Sequence, residues 1–431
     1  MDRLDSITPL AAPPLAQSAF ELTANRPAGP YDEAAFPHST QQRRDGGLQV
    51  AQISRRAVML GLVGAGLAAC SKPFARLSVP STPPPTPSPL PSATPSPSPS
   101  IDTRPRWPLT GKLLKTESKA RRAAVAVKVP DNRREHPQRG IDKADIVFVE
   151  LDGYRDPSGY SGTRLVPVFH SRVTEDVGPV RSIRPVDIPL LSPMHALIGN
   201  TGAAPWVVNY VKRHRAHLEG LLSYMNTRRT GSYGIDPSRV YTLNGDKYYD
   251  KAVVCHPAIL ARQTKRFQSG PPQPYFSFAS TRREVSVRQG KRGRSIKIPY
   301  KADGFFMGYE YDKKEKRYLR SMPWGPHVLA DGTRVSTDNV LVIKAEQHYG
   351  KIFRGSGHDE PLHDIIKARG KFYYFNRGRY VVGSWRKGKV QEPFEFTLKN
   401  GTPLKMAPGQ TFVELPSVGA KLRVEARSRS T

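Results

Sequence analysis

The pattern of apolar and polar positions changes period along the chain. Residues 122–129 (RAAVAVKV), 144–151 (ADIVFVEL) and 164–170 (RLVPVFH) are short apolar runs rich in β-branched residues, separated by turn formers. Such runs predict strands buried on both faces. From Ala204 the spacing lengthens, with Val207, Val211, His214, Leu218 and Leu221 recurring every three or four residues behind Pro205. That spacing predicts an amphipathic helix lying on a core. Residues 185–199 and 257–267 are further helical candidates, the first broken by Pro189 and Pro193 and so expected to be short or irregular. From about Tyr275 the pattern is strand-like throughout: YFSFAS, REVSVRQ, RSIKIPY, GFFMGYEYD, KRYLRSM, DNVLVIKAE, GKFYYFNRGRYVVGSWRKG and TFVELP alternate or run apolar. Asn400-Gly401 is read as the strongest hairpin dipeptide in the chain.

These elements predict an α+β protein. A mixed α/β domain over 107–270 is followed, across SGPPQP (269–274), by a β-rich domain over 275–418 and a tail, 419–431. Upstream, residues 71–106 form a Pro/Ser/Thr-rich linker whose centre reads VPSTPPPTPSPLPSATPSPSPS. That composition buries no core and extends as a semi-rigid spacer of about 3.1 Å per residue.

Residues 54–70, SRRAVMLGLVGAGLAAC, have a different character. The uncharged stretch from Ala57 to Ala69 is 13 residues long, whereas a bilayer-spanning helix needs about 20. Gly61, Gly64 and Gly66 each weaken a helix by about 1 kcal/mol relative to alanine, which counts against a buried core helix. Basic residues, a short apolar run and small residues before a break are the three parts of a secretory signal, and Arg55-Arg56 adds a twin-arginine export mark. Leu67-Ala68-Ala69-Cys70 resembles a bacterial lipobox; it implies a diacylglycerol thioether on Cys70, and two acyl chains suffice for stable membrane anchoring. Residues 1–53 show no sustained periodicity and are read as a disordered extension.

The compartment changes the meaning of the charge. The 431-residue chain carries a net charge of +30, and six Lys/Arg balance six Asp/Glu in residues 1–69, so the excess lies in the chain from Cys70 onward. In the cytosol this would point to nucleic acid. On the outer face of a bacterial membrane no nucleic acid is expected, and the available polyanions are lipid headgroups and wall polymers. The only other cysteine, Cys255, has no partner if Cys70 is acylated, so no disulfide framework is expected.

Several motifs resemble the two-domain YerB-like lipoprotein family: WPLTG (107–111), GIDKADIVFVE (140–150), TRLVPVFHS (163–171), GPVRSIRPVDIPLL (178–191), DNVLVI (338–343) and GSWRKG (383–388). The resemblance spans about 105–418 and implies an exported, commonly lipid-anchored protein of α+β type without an assigned activity. Where that family carries a Pro-His-Asn element near the end of its first domain, this chain has VVCHPAIL (253–260), and a role resting on that asparagine does not transfer.

Candidate chemistry centres on GPVRSIRPVD. Pro179 and Pro185 restrict the backbone around Arg181 and Arg184, and guanidinium forks bind carboxylate or phosphate oxygens in bidentate fashion. With Arg164 and Asn132 they form a candidate site for an anion or partner; the competing expectation is internal pairing with Asp187, Glu150 or Asp145. Glu150 and Asp152 share one face of their strand and are the alternative acid/base pair. Cys255-His256 is poor dyad geometry, because strand neighbours point to opposite faces. His358, Asp359, His363 and Asp364 match no common zinc spacing, and His214 and His217 lack a third ligand. No metal and no cofactor is expected, and GxSxG, HExxH, P-loop and GxGxxG motifs are absent. The sequence thus predicts a lipid-anchored, extracytoplasmic module that binds an anionic envelope polymer or an envelope protein, with a cell-wall hydrolase or transferase as the alternative.

Overall fold

The computed structural model describes residues 103–155, 161–300 and 304–427. Arg55, Arg56, Cys70 and the linker up to residue 102 lie outside them. Strands dominate, and helices are short.

Nine strands form the path of an eleven-stranded sheet in the order 291–292, 379–387, 368–376, 339–343, 411–414, 146–155, 161–169, 125–127 and 197–199; 129–130 and 394–398 pair at its sides. Thr411–Glu414 lies parallel to both Asn339–Ile343 and Ile146–Arg155. Strands from both sides of the 269–274 segment therefore share one ladder. This follows from composition: NVLVI and TFVE are wholly buried, and a strand without a polar face must be covered on both sides.

The two faces carry separate cores. Ile146, Phe148, Val166 and Val413 face a cluster with Leu190, Trp206 and Tyr275. Val147, Val149, Leu165 and Phe412 face Ile296, Met307, Tyr309 and Tyr318, which belong to a second sheet ordered 325–326, 317–322, 306–312, 295–299 and 423–425, with 336–337 pairing at 317–322.

The predicted helix after Ala204 is real but shorter. It runs Pro205–Arg213 and buries Trp206, Val207, Tyr210 and Val211; His214 is its C-cap, and Leu218 reaches the same core from the following segment. As Pro189 and Pro193 foretold, 185–199 is broken into Asp187–Leu191, a 3-10 turn and the strand Leu197–Gly199. The 257–267 candidate is only Pro257–Ala261. Two stretches expected to be strands are not: YFSFAS makes a single bridge, Phe278 to Met406, and REVSVRQ contains a 3-10 turn over Ser286–Gln289. Two hairpins turn on two-residue loops with positive φ at both positions: Asn244-Gly245 (51° and 84°), joining Tyr241–Leu243 to Asp246–Tyr248, and Arg377-Gly378 (48° and 72°), joining Ala368–Asn376 to Arg379–Lys387. Those angles are what a two-residue type I′ loop requires.

Candidate functional site: a buried charge network at the carboxyl ends of the parallel strands

Strands 125–127, 146–155 and 411–414 point the same way, and their carboxyl ends place charged side chains on both faces of the sheet. Ligand sites of open parallel sheets lie at that end.

On one face Lys128, fully buried, donates to Asp187 Oδ1 at 2.9 Å and to Glu150. Beside them Asp152 accepts from Arg184 Nη2 at 2.7 Å and forms an ion pair with Arg164, whose Nε lies 2.8 Å away without hydrogen-bond geometry. The second fork of Arg184 reaches Glu360 Oε2 at 2.8 Å, and His358 approaches Glu360 Oε1 at 2.9 Å. Asp187 Oδ2 also accepts from the backbone N–H of Arg184 at 2.7 Å, so the same acid that meets Lys128 fixes the proline-framed loop. Glu360 arrives on the hairpin Gln347–Gly350/Glu360–His363, which Trp206 Nε1 pins by donating to His358 O at 2.9 Å.

The environment splits the two carboxyls of strand 146–155. Burial, reinforced by the Asp187 carboxylate, raises Glu150 against the pull of Lys128, and Glu150 Oε2 has no hydrogen-bond partner among the described residues. Burial acts on Asp152 too, but Arg164 and Arg184 outweigh it and hold its carboxyl low. Desolvation lowers the Arg164 guanidinium to about 10. Tyr349, half exposed on the hairpin, is raised by burial and by Asp152 and stands within electrostatic reach of the network.

The predicted site residues are thus partly united. Arg164, Arg184, Glu150 and Asp152 belong to one network. Arg181 turns elsewhere, to Glu135 and Asp250. Asn132 lies against Gly162, where a Cβ would collide with Asn132 Oδ1, and that buried oxygen has no hydrogen-bond partner among the described residues. Lys128, Glu360 and Tyr349 are site residues that the sequence pattern did not single out. Lys128 left a signal, since a lysine inside an apolar strand run must find a buried acid; Glu360 left none, being brought in by a hairpin from 176 positions beyond Arg184.

On the opposite face Asp131 accepts from Arg320 Nη2 at 2.6 Å, Thr163 Oγ1 at 2.9 Å and Gln138 Nε2 at 3.2 Å. Tyr300 and Tyr309 donate to Glu414 at 2.7 and 2.5 Å, with Arg320 Nε at 3.9 Å. Asp131, His136 and His327 place potential ligand atoms within 4.8 Å of one another. They do not fit a metal. Arg320 donates to His327 Nδ1 at 2.7 Å, which leaves the proton on Nε2 to be donated to Gln138 Oε1 at 2.9 Å. Both imidazole nitrogens are engaged, and the guanidinium supplies the positive charge.

The remaining candidates separate. Cys255 is fully buried, and burial raises its thiol, the opposite of an activated nucleophile. His363 is buried, with Gln347 Nε2 at 3.0 Å from its Nε2; Asp364 pairs with the exposed His348 at 3.6 Å. His217 Nδ1 meets His195 Nε2 at 3.3 Å.

Three histidines are held neutral by burial: His363 at about 3, where Lys128 adds to the effect, His170 at about 4, and His327 well below its ordinary value. An unfolded imidazole takes up a proton below about pH 6.5, and these folded ones do not. The unfolded state then binds more protons, so stability is full above about 6.5 and drains as the pH falls toward the folded values. Denaturant unfolding should show a lower midpoint at pH 5.5 than at 7.5, with a shallower pH slope for His363→Gln. An equal slope in the variant contradicts this origin.

The chain belongs to the DUF3048 family of proteins of unknown function: the N-terminal domain model matches residues 109–250 and the C-terminal domain model residues 296–413. It is similar to YerB of Bacillus subtilis (strain 168), a protein named as a candidate lipoprotein, with 27% identity over 318 residues covering 72% of this chain and 85% of the relative. The crystal structure of the YerB protein from Bacillus subtilis superposes with a TM-score of 0.57 at 22% identity, covering 74% of this chain and all of that one, and shows a shared fold.

Proposed function

We propose that the protein is a lipid-anchored module on the outer face of the cell membrane, held by Cys70 above a Pro/Ser/Thr stalk, whose basic surface binds an anionic envelope polymer. The carrying observation is how charge is divided between interior and surface. Among the described residues ten Asp/Glu side chains but four Lys/Arg side chains are buried. Folding therefore withdraws more negative than positive charge, and the surface is more basic than a composition of +30 already makes it. Such a field draws polyanions over about a Debye length, 8–10 Å, and weakens with salt. The naming of a relative as a lipoprotein supports the anchor.

The test is retention of the detergent-extracted protein on purified wall polymer. Binding at low salt and release at high salt are expected; passage through the column at low salt overturns the polymer reading.

One observation favours a second reading, a hydrolase or transferase acting on wall material. Glu150 is raised and Asp152 lowered on the same strand face, the divergence by which acid and base roles are divided between two carboxyls. Product release from purified wall material, abolished in Glu150→Gln and unaffected by salt, would support it; absence of product from the unaltered protein removes it.

A further inference from the structure

The WPLTG stretch takes no part in the charge network. It lies at the other end of the sheet, beside Ala144 and Asp145, which precede strand 146–155, and Gln410, which precedes strand 411–414. Together with Ser171 and Arg172, just past strand 161–169, these residues line a cleft of about 290 Å³ whose walls include Trp107, Thr110, Lys112 and Leu113. Gly111 closes the turn with φ +64°, and a Cβ there would collide with the Phe278 ring, so the stretch is shaped by its packing as well as by its chemistry.

Three features mark the cleft as built for a ligand. Trp107 is only partly buried, in a T-shaped contact with His170 at 5.3 Å and with the Arg122 guanidinium over its ring at 5.8 Å from the centroid, which leaves the other ring surface for a ligand, and its indole N–H has no acceptor among the described residues. Arg172 is exposed and makes no hydrogen bond or ion pair within 4 Å among the described residues, its field reaching only the more distant Asp145. Lys112 is held only at 3.7 Å by Asp338, which already receives Gln410 N–H at 2.9 Å and Arg317 at 3.4 Å. The acid in the cleft is spent: Asp145 accepts from Ser171 N at 2.6 Å, His170 N at 3.0 Å and the Ser171 hydroxyl. An indole with a free donor, flanked by two underused cations, suits a sugar ring against the aromatic surface with an anionic substituent on the cations. The volume stands at the small end for ligand pockets, about 300 Å³, and fits one ring better than a chain.

We propose that this cleft binds a single anionic sugar unit, a hexosamine or hexose carrying a phosphate, with Trp107 as the platform and Arg172 and Lys112 as the anion ligands. The proposal rests on the polymer reading above and narrows it to one recognition point. Such units occur both in wall polymers and in glycolipid headgroups, and the experiment separates the sources.

The detergent-extracted protein is titrated with N-acetylglucosamine 1-phosphate by calorimetry, with N-acetylglucosamine and inorganic phosphate as controls, and its Trp107 indole N–H resonance is followed by NMR. Saturable binding that shifts the Trp107 resonance, at least tenfold tighter than either control, is expected. The exposed double variant Arg172→Glu/Lys112→Glu, checked for folding by its unfolding midpoint, should lose at least tenfold in affinity. Absence of saturable binding, binding with Trp107 unmoved, or equal affinity in the folded double variant overturns the site. Retention of that variant on wall polymer, with sugar phosphate binding lost, supports the site and shows that the diffuse basic surface acts beside it. If the unaltered protein is not retained on wall polymer yet binds the sugar phosphate, the polymer reading fails while the cleft stands. Retention on vesicles of anionic glycolipid but not on wall polymer assigns the headgroup as the source, and the reverse assigns the wall.

Discussion

Arg320→Met is expected to destabilise the protein by about 3–5 kcal/mol, the cost of stranding buried acids by removing their cation. Arg320 is fully buried, as are Asp131 and Glu414 on either side of it, and the burial of Arg320 is opposed by those same acids. The contact joins the strand Arg317–Met322 to a loop 189 positions earlier, so its loss is felt in both halves of the family match. Burial resists ionisation of Asp131, but Arg320 and the hydrogen bond from His136 prevail and hold the carboxyl well below the usual range. The corresponding stability is present above the unfolded value of about 3.9 and is lost as the pH falls through the low folded value. Urea unfolding should therefore find the variant's deficit at pH 7 shrinking below pH 4. Combining it with Asp131→Asn should cost less than the two single changes added together, by about 1 kcal/mol or more; strict additivity contradicts the pairing.

Lys128→Met should be comparably costly, about 3–5 kcal/mol at pH 7, with its pH dependence set in a higher window. The change leaves Glu150 and Asp187 facing each other without a cation, and Glu150 is already raised by burial and by that neighbour. Removing Lys128 raises it further. A carboxyl whose folded pKa exceeds its unfolded value contributes stability below the unfolded value and loses it as the pH rises through the folded one. The gap between variant and unaltered protein should accordingly narrow from pH 7.5 to pH 5. Because His363 drains stability from both over this range, the difference between the two curves is the quantity to follow. A gap that widens on acidification contradicts the assignment.

These networks also explain how far the sequence pattern reaches. Strands such as ADIVFVEL and DNVLVI are legible because a strand buried on both faces must be apolar throughout. The helix after Ala204 is shorter than its spacing suggests because Leu218 and Leu221 keep helical spacing while packing from the next segment; periodicity reports which residues face the core and not how the backbone gets there. REVSVRQ misleads for the converse reason, as three alternating residues suit a 3-10 turn as well as a strand. At the site, Glu150, Asp152, Arg164 and Arg184 are legible, since charged residues in or beside apolar runs must be paired. Which acid meets which arginine is not, because Glu360 and Arg320 arrive from distant strands. The single sheet that unites strands from both sides of SGPPQP is equally hidden, for nothing local in TFVE states that it lies between 146–155 and 339–343.

The surface, and not the buried network, is on this view the working part of the molecule. The most direct test is photocrosslinking in intact cells from probes placed at the exposed Lys291 and Lys313, in the anchored full-length protein. Adducts containing anionic polymer or glycolipid, which fail to form when the cells are irradiated in high salt, are the expected result. Adducts confined to protein, and indifferent to salt, would contradict it.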